Sequence, residues 1–241
     1  MASDIVKSVG RVFEVLEVFK MSQRPMTATE VGNELGYPNS STIALLKSMS
    51  TLGYLSFDRN QHCYFPTMRL SLLTQWIEQA IYANNEIQNL IQQLHESTGE
   101  TVSLCVQNDL QMQFMHILIG THPVSLNLKE GQLVPLFGTA IGHAALTFKN
   151  DKEICRLTER YRRREREPLD DQSLLETVAR DRKRGYSIAY DRLVDGLAAV
   201  AAPVPKGDKP FEMVVSIGGP AERIKRTEAK LIKTLCSAVS Q

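Results

Sequence analysis

Between Thr27 and Leu55 the chain reads TATEVGNELGYPNSSTIALLKSMSTLGYL, and the break Gly36-Tyr37-Pro38 near its centre constrains the fold more than any other feature. Proline cannot continue a helix and glycine readily ends one, so the helically spaced apolar residues on either side belong to two short helices joined by a tight turn. Thr27 or Thr29 can cap the first helix. Glu30 stands three residues after Thr27 as in a capping box, and Val31 and Leu35 face inward before Gly36 stops the helix. Asn39, Ser40 and Ser41 offer caps for the second helix. Its apolar positions follow either Ile43, Leu46, Met49 and Leu52 or Leu45, Met49 and Leu52, and Gly53 closes it. Two helices on a short Gly-containing turn make a helix-turn-helix, which lays its second helix in the major groove of DNA. A helical hairpin that only packs has the same local pattern.

The flanking sequence separates these two readings. Residues 5 to 20 place Val9, Val12, Phe13, Leu16 and Phe19 on one helical stripe, which supplies the third helix that such a pair needs to bury its apolar faces. After Gly53, Tyr54–Phe57 and Cys63–Phe65 flank a polar stretch and read as a β-hairpin. Directly after a helix-turn-helix such a hairpin is a wing, whose tip would bring Arg59 and Gln61 to phosphate or the minor groove. From Met68 to Asn84, Leu70, Leu73, Ile77 and Ile81 form one apolar ridge and Leu72, Trp76 and Ala80 a second. A helix with two ridges packs against a partner subunit as well as its own chain, as a linker or dimerisation helix does.

The 241 residues carry a formal net charge of +1, and 43% of them are apolar, enough for one large or two ordinary folded domains. That charge excludes a protein that coats nucleic acid by charge alone. Over residues 1–80 the charges cancel, so a sequence reader must rely on where its few cations stand. The N-terminal apolar residues are interrupted by Lys7, Arg11, Glu14 and Glu17, so neither a signal peptide nor a spanning helix is expected and the protein should be cytoplasmic, with no membrane partner. Cys63, Cys105, Cys155 and Cys236 are scattered singly, which argues against a zinc site or a disulfide framework; neither a metal nor a cofactor is expected. No GxSxG, HExxH or Walker pattern points to catalysis. His143 beside Asp191 could form a general-base pair, but ligand binding is the simpler role.

The remainder mixes helices and strands. Helical patterns cover Glu86–Ser97, Asp151–Arg166, Asp170–Arg184 and Glu222–Val239, with a short helix of small residues at Thr139–Phe148. Strands are expected at Thr101–Val106, Met112–Ile119, Val124–Leu128, Tyr186–Tyr190, Leu197–Val204 and Phe211–Ile217, with a break at Gly131–Pro135. This is an α+β arrangement built on antiparallel strands. The arginines of YRRREREP interleave with glutamates and read as a solvated helix end.

Five ordered stretches resemble the IclR family of bacterial transcriptional regulators: the helix-turn-helix itself, LHESTGETVSLCV (94–106), EGQLVPLFGTAIGHAAL (130–146), RGYSIAYDRLVDGLAAVAAPV (184–204) and VSIGGPAERI (215–224). The resemblance implies three parts: a winged helix-turn-helix DNA-binding domain over residues 1–67, a linker or dimerisation helix over 68–84, and a GAF-like α/β effector-binding domain over 85–241. It further implies a regulator of a catabolic operon, controlled by a small organic acid, aromatic ones included. Its partners would be double-stranded operator DNA and further copies of itself, a dimer that pairs into a tetramer on DNA. A small-molecule sensor acting only through protein contacts is the alternative, and an enzyme using the same pocket a more distant one.

By the same resemblance the effector pocket should be lined near Leu136, Phe137 and Thr139, at Asp191, along Leu197 and Ala199, and at Ser216 and Gly218. His143 stands where the family often has Lys, and Ala199 and Gly218 where many members carry polar residues, which suggests a larger or more apolar ligand. On the DNA side Ala44 replaces a common Arg, leaving Lys47 as the basic residue of the recognition helix. Base reading then falls to Asn39, Ser40, Ser41 and Thr42, with Asn39 and Ser40 in capping or phosphate roles and Ser41 and Thr42 in the groove. Thr27 joins the candidate DNA-contacting set. A single copy should bind weakly, so specific binding should need at least two.

Overall fold

The computed structural model describes residues 6–82, 85–207 and 209–240, and the chain divides into two compact units, Met1–Gln79 and Ala80–Gln241. In the first, α1 (Lys7–Ser22), α2 (Ala28–Leu35) and α3 (Asn39–Thr51) pack with β1 (Met26–Thr27), β2 (Leu55–Asp58) and β3 (Cys63–Pro66), a sheet in the order β1-β3-β2. Strand β1, which extends the hairpin by pairing Met26 with Tyr64 and Thr27 with Cys63, was not expected from the sequence. Thr27 caps α2 through a complete capping box: its hydroxyl accepts from the Glu30 N–H at 3.3 Å, while the Glu30 carboxylate accepts from the Thr27 N–H at 2.7 Å. Gly36 ends α2 at φ 66°, a left-handed conformation that glycine adopts freely.

The core of this unit joins Val15, Phe19, Val31, Leu46, Met49 and Leu55. Helix α1 buries a different edge from the one expected. Val12, Val15, Leu16 and Phe19 face inward, while Val9 and Phe13 are 50% and 63% exposed. A unit this small covers only one stripe of the helix, and that stripe is centred on Val15. Leu52, also expected inside, is exposed because α3 ends at Thr51.

Helix α4 (Arg69–Tyr82) follows, with Leu72, Leu73 and Trp76 exposed in the single chain. Ile81 and Ala80 of the expected ridges, like Asn84, lie outside the residues whose side chains are described.

The second unit is built on α5 (Glu86–Thr98), β4 (Thr101–Asn108), β5 (Gln111–Leu118), β6 (Leu133–Pro135), α6 (Ala140–Leu146), α7 (Asp151–Glu165), α8 (Asp171–Arg184), β7 (Ser187–Tyr190), β8 (Leu197–Val204), β9 (Met213–Pro220) and α9 (Ala221–Val239). Its strands form one antiparallel sheet in the order β6-β5-β4-β9-β8-β7. Helices α5 and α9 cover one face, while α6, backed by α8 and α7, covers the other. The architecture is the α+β one the sequence suggested, with an antiparallel sheet.

Two local expectations are corrected. Val124–Leu128 forms no strand, because side chains take up its backbone: Arg223 donates to the Val124 carbonyl at 2.9 Å and Thr101 to that of Leu126 at 3.2 Å. The sheet edge is instead β6, inside the segment expected to be a break, where Gln111–Gln113 pair with Pro135–Leu133.

Candidate functional site

The face of the helix-turn-helix offered to solvent is set by how α2 and α3 meet. Gly32 lets them approach closely, for a Cβ there would stand 3.3 Å from the Thr42 hydroxyl. Thr42 is fully buried and donates to the Pro38 carbonyl at 3.2 Å. It therefore packs the two helices together and does not point into a groove, which corrects its expected role. Pro38, not Asn39 or Ser40, is the N-cap of α3, and no side chain caps that end. Asn39 and Ser40 stand exposed at the start of the helix. Ser41 is half-buried and donates to the Pro38 carbonyl at 2.9 Å.

The exposed stripe of α3 is Ser40, Ala44, Lys47 and Ser48, spaced as one helical face. Ala44 and Ser48 were not among the expected contacts, although the spacing of four from Ser40 marks them. In the wing, Asp58 accepts from the Asn60 and Gln61 N–H groups at 2.7 and 3.2 Å, a tight turn that leaves Arg59 and Gln61 exposed at the tip. Thr27 is committed to its cap. Its carboxylate partner Glu30 is held down to about 2, first by the Thr27 backbone N–H and then by the Thr27 hydroxyl and Arg24.

The second unit holds a cavity of about 70 Å³ between the sheet and α6. Its floor follows from strand register. Thr101, Gly218, Ala199 and Ala189 lie side by side across four strands, and Ser103, Ser216, Ala201 and Ser187 form the next row on the same face. Small residues in the first row leave the hollow, since a Cβ at Gly218 would meet the Leu126 side chain at 2.7 Å. Thr139 caps α6 at the cavity wall, accepting from Gly142 N–H at 3.1 Å and donating to Pro135 at 2.9 Å.

Of the residues expected to line a pocket, Thr139, Leu197, Ala199, Ser216 and Gly218 do so together. Leu136, Phe137 and Asp191 are not in the lining. Leu136 is fully buried in the core, and Phe137 packs edge-on against Tyr161 at 4.9 Å. Asp191 is exposed and accepts from Gly196 N–H at 2.7 Å, closing the loop that carries Arg192 and Leu193 to the cavity.

Thr101, Ser103 and Arg192 line the cavity without having been expected there. Alternation along Thr101–Val106 puts Thr101 and Ser103 on one face, which is the signal that could have found them. Arg192 is the charged side chain of the lining among the described residues. Ser103 and Ser216 share a hydrogen bond at 2.8 Å, and Ser103 also meets the Cys105 sulfur at 3.5 Å, so this hydroxyl pair is engaged within the protein.

His143 is not in the lining either, and the carboxylate that acts on it is Asp181, not Asp191. Burial lowers its proton affinity, Asp181 opposes this and Arg192 adds to it. Asp181 itself is buried, accepting from Ser187 at 2.7 Å and facing Arg184 at 2.9 Å. That arrangement gives no exposed general-base pair.

Comparison with known proteins accounts for both halves. A family model for the IclR helix-turn-helix domain matches residues 8–59, and one for the C-terminal part of the bacterial transcriptional regulator IclR matches residues 81–241. The chain is 26% identical over 204 residues to the HTH-type transcriptional regulator KdgR of Escherichia coli, spanning 83% of this chain and 77% of that protein. It is 25% identical over 229 residues to the transcriptional repressor IclR of Escherichia coli, spanning 92% and 83%. Among solved structures, the Thermotoga maritima IclR aligns with a TM-score of 0.68 at 17% identity, over 98% of each chain. An IclR homologue from Microbacterium hydrocarbonoxydans, complexed with 4-hydroxybenzoate, aligns with a TM-score of 0.72 at 17% identity, over 97% of this chain and 96% of that one. The structural likeness speaks for the fold alone, but the family models cover both the DNA-reading and the C-terminal half: the chain belongs to the IclR family of DNA-binding transcriptional regulators.

Proposed function

We propose that this regulator controls a catabolic operon in response to a small organic acid held in the cavity between the sheet and α6. The observation that carries the ligand reading is the pairing of a small, mostly apolar hollow with one cation, Arg192. A carboxylate pairs with that guanidinium while its hydrocarbon part rests on Ala189, Ala199 and Leu197. At about 70 Å³ the cavity exceeds the roughly 30 Å³ that one water takes up in the liquid, so it has room for a few water-sized groups. The relative crystallised with 4-hydroxybenzoate supports the class of ligand, not its identity.

The DNA end of the reading rests on Ser40, Lys47 and the wing tip, presented in duplicate by a homodimer acting in the cytoplasm. The exposed Leu72, Leu73 and Trp76 of α4 support self-association. Pairing of dimers on a pseudo-palindromic operator then couples ligand to DNA by linkage: an acid that prefers one arrangement of subunits changes operator affinity, and operator changes acid affinity by the same factor. The relatives are named as regulators, which supports a non-catalytic cavity.

The test is a thermal-shift screen of aliphatic and aromatic carboxylates, with Arg192→Ala alongside. An acid that stabilises wild type, fails on the variant and alters operator affinity supports the proposal. Amines or neutral sugars stabilising the protein as well as acids would overturn it.

A further inference from the structure

A second feature of the DNA-reading unit lies beside the exposed stripe of α3. A cleft of about 820 Å³ is lined by Lys7 and Arg11 of α1, Tyr37 of the turn, and Ala44 and Ser48 of the recognition helix. The Arg11 guanidinium lies over the Tyr37 ring, 4.3 Å from its centroid. Tyr37 in turn donates its hydroxyl to Glu14, the acidic residue of the cleft lining. Glu14 is thus engaged by the tyrosine, and among the described residues neither Lys7 nor Arg11 has a carboxylate within 4.0 Å. A guanidinium stacked on an aromatic face keeps its N–H edges for other acceptors and loses little freedom when it uses them.

The position of these cations matters because of what they stand next to. A helix with its side chains is about 10–12 Å across, close to the roughly 12 Å width of the major groove. Groups flanking the exposed face of an inserted helix therefore meet the phosphate walls. Ala44 and Ser48 are small, so α1 and the turn can close on that wall without a long side chain intervening. The cancelling charge of residues 1–80 conceals this arrangement: two cations converge on the cleft against one acid.

We propose that Lys7 and Arg11 are phosphate-contacting residues of the DNA interface, with Tyr37 as the plate that aims Arg11. This rests on the DNA-reading assignment above and extends it from the recognition helix and wing to the start of α1. A second copy of the chain fits the cleft less well, since two such surfaces would each bring two cations against one acid.

The experiment uses the full-length protein and a duplex selected by wild type from a random duplex pool, with affinity followed by fluorescence anisotropy between about 50 and 200 mM salt. Arg11→Ala should weaken binding several-fold and reduce the slope of log affinity against log salt by about 1 per DNA-reading copy, hence about 2 for a homodimer, and the Lys7→Ala/Arg11→Ala pair by about 4. Preference among operator bases should stay unchanged, because phosphate contacts position the protein without reading sequence. Lys7→Glu, at an exposed site, keeps the test open if Arg11→Ala folds poorly, and should weaken binding while its melting curve stays that of wild type. Unchanged affinity and slope in these variants would overturn the proposal. So would a loss of DNA affinity that sedimentation traces to lost self-association, which would make the cleft a contact between copies. Wild type that selects no duplex at all would instead refute the DNA-reading assignment, and this proposal with it.

Discussion

Replacing Gly142 by alanine tests how α6 is seated. Helix propensity alone predicts a gain of about 1 kcal/mol, since glycine is the poorer helix former. The structure predicts the opposite sign. A Cβ at position 142 would stand 1.6 Å from the Leu136 carbonyl oxygen and 2.9 Å from the Thr139 hydroxyl. Reaching an ordinary C···O separation of about 3.3 Å from that 1.6 Å requires a shift of about 1.7 Å, and the obstacle is backbone, not a movable side chain. That shift pulls on the bonds from Gly142 N–H to Thr139 and from Thr139 to Pro135, at 3.1 and 2.9 Å. Losing two such bonds costs about 1–3 kcal/mol and overpacking about 1–3 more, so the net after the propensity gain is a loss of about 1–5 kcal/mol. For a unit of this size each kcal/mol moves the melting midpoint by about 2–4 °C. Circular dichroism melts of full-length Gly142→Ala should therefore show the transition of the second unit lowered by several degrees. Because Thr139, Ala140 and Ile141 line the cavity, stabilisation by a bound acid should fall as well. A midpoint equal to or above wild type would refute the seating of α6 against Leu136.

Thr27→Ala should cost about 1 kcal/mol in urea unfolding of the first unit and Thr27→Ser should restore most of it, as befits a cap and not a base contact. The Glu30 carboxyl, held at about 2, contributes stability that is fully present above its ordinary range near 4.5 and fades as pH falls toward 2. Urea midpoints of wild type and Glu30→Gln should therefore converge as pH is lowered through that window, and a gap that persists at its acid end would contradict the capping geometry. Ala199→Leu, which fills the cavity floor, should abolish thermal stabilisation by acids while leaving operator affinity in their absence within about twofold, measured by anisotropy.

Much of this architecture was legible because it depends on local chemistry. The capping box at Thr27 and Glu30, the stop at Gly36 and the close approach at Gly142 are backbone requirements that a few residue types meet, and the sequence displays them. The misreadings share a different cause. Periodicity says that Val9, Val12, Phe13, Leu16 and Phe19 could share a face, but the bulk of α2 and the sheet decides which edge of α1 is covered. Thr42 looks like a groove residue until Gly32 brings α2 onto it. The segment Val124–Leu128 has the composition of a strand, yet Arg223 and Thr101 claim its carbonyls from far along the chain. The cavity was half visible: five of its lining positions came from family resemblance, whereas alternation pairs Thr101 with Ser103 and only strand register sets them over the cavity, and Arg192 reaches it on a loop closed between Asp191 and Gly196.

The pairing of β4 with β9 carries a consequence for how the molecule is made. It joins residues 101–106 to residues 213–218, so the central ladder of the sheet spans most of the second unit's length. A nascent chain emerging from the ribosome can complete its helix-turn-helix and wing before the second unit, because α1–α3 and β1–β3 all lie between Lys7 and Pro66. The second unit has no such option. Until Met213–Pro220 has left the exit tunnel, β4 and β8 each present an open strand edge, and the floor of the cavity lacks Gly218 and Ser216. Translation that stops short of β9 would thus release a chain with its helix-turn-helix complete but without the cavity, and with two exposed edges marking it for aggregation or proteolysis.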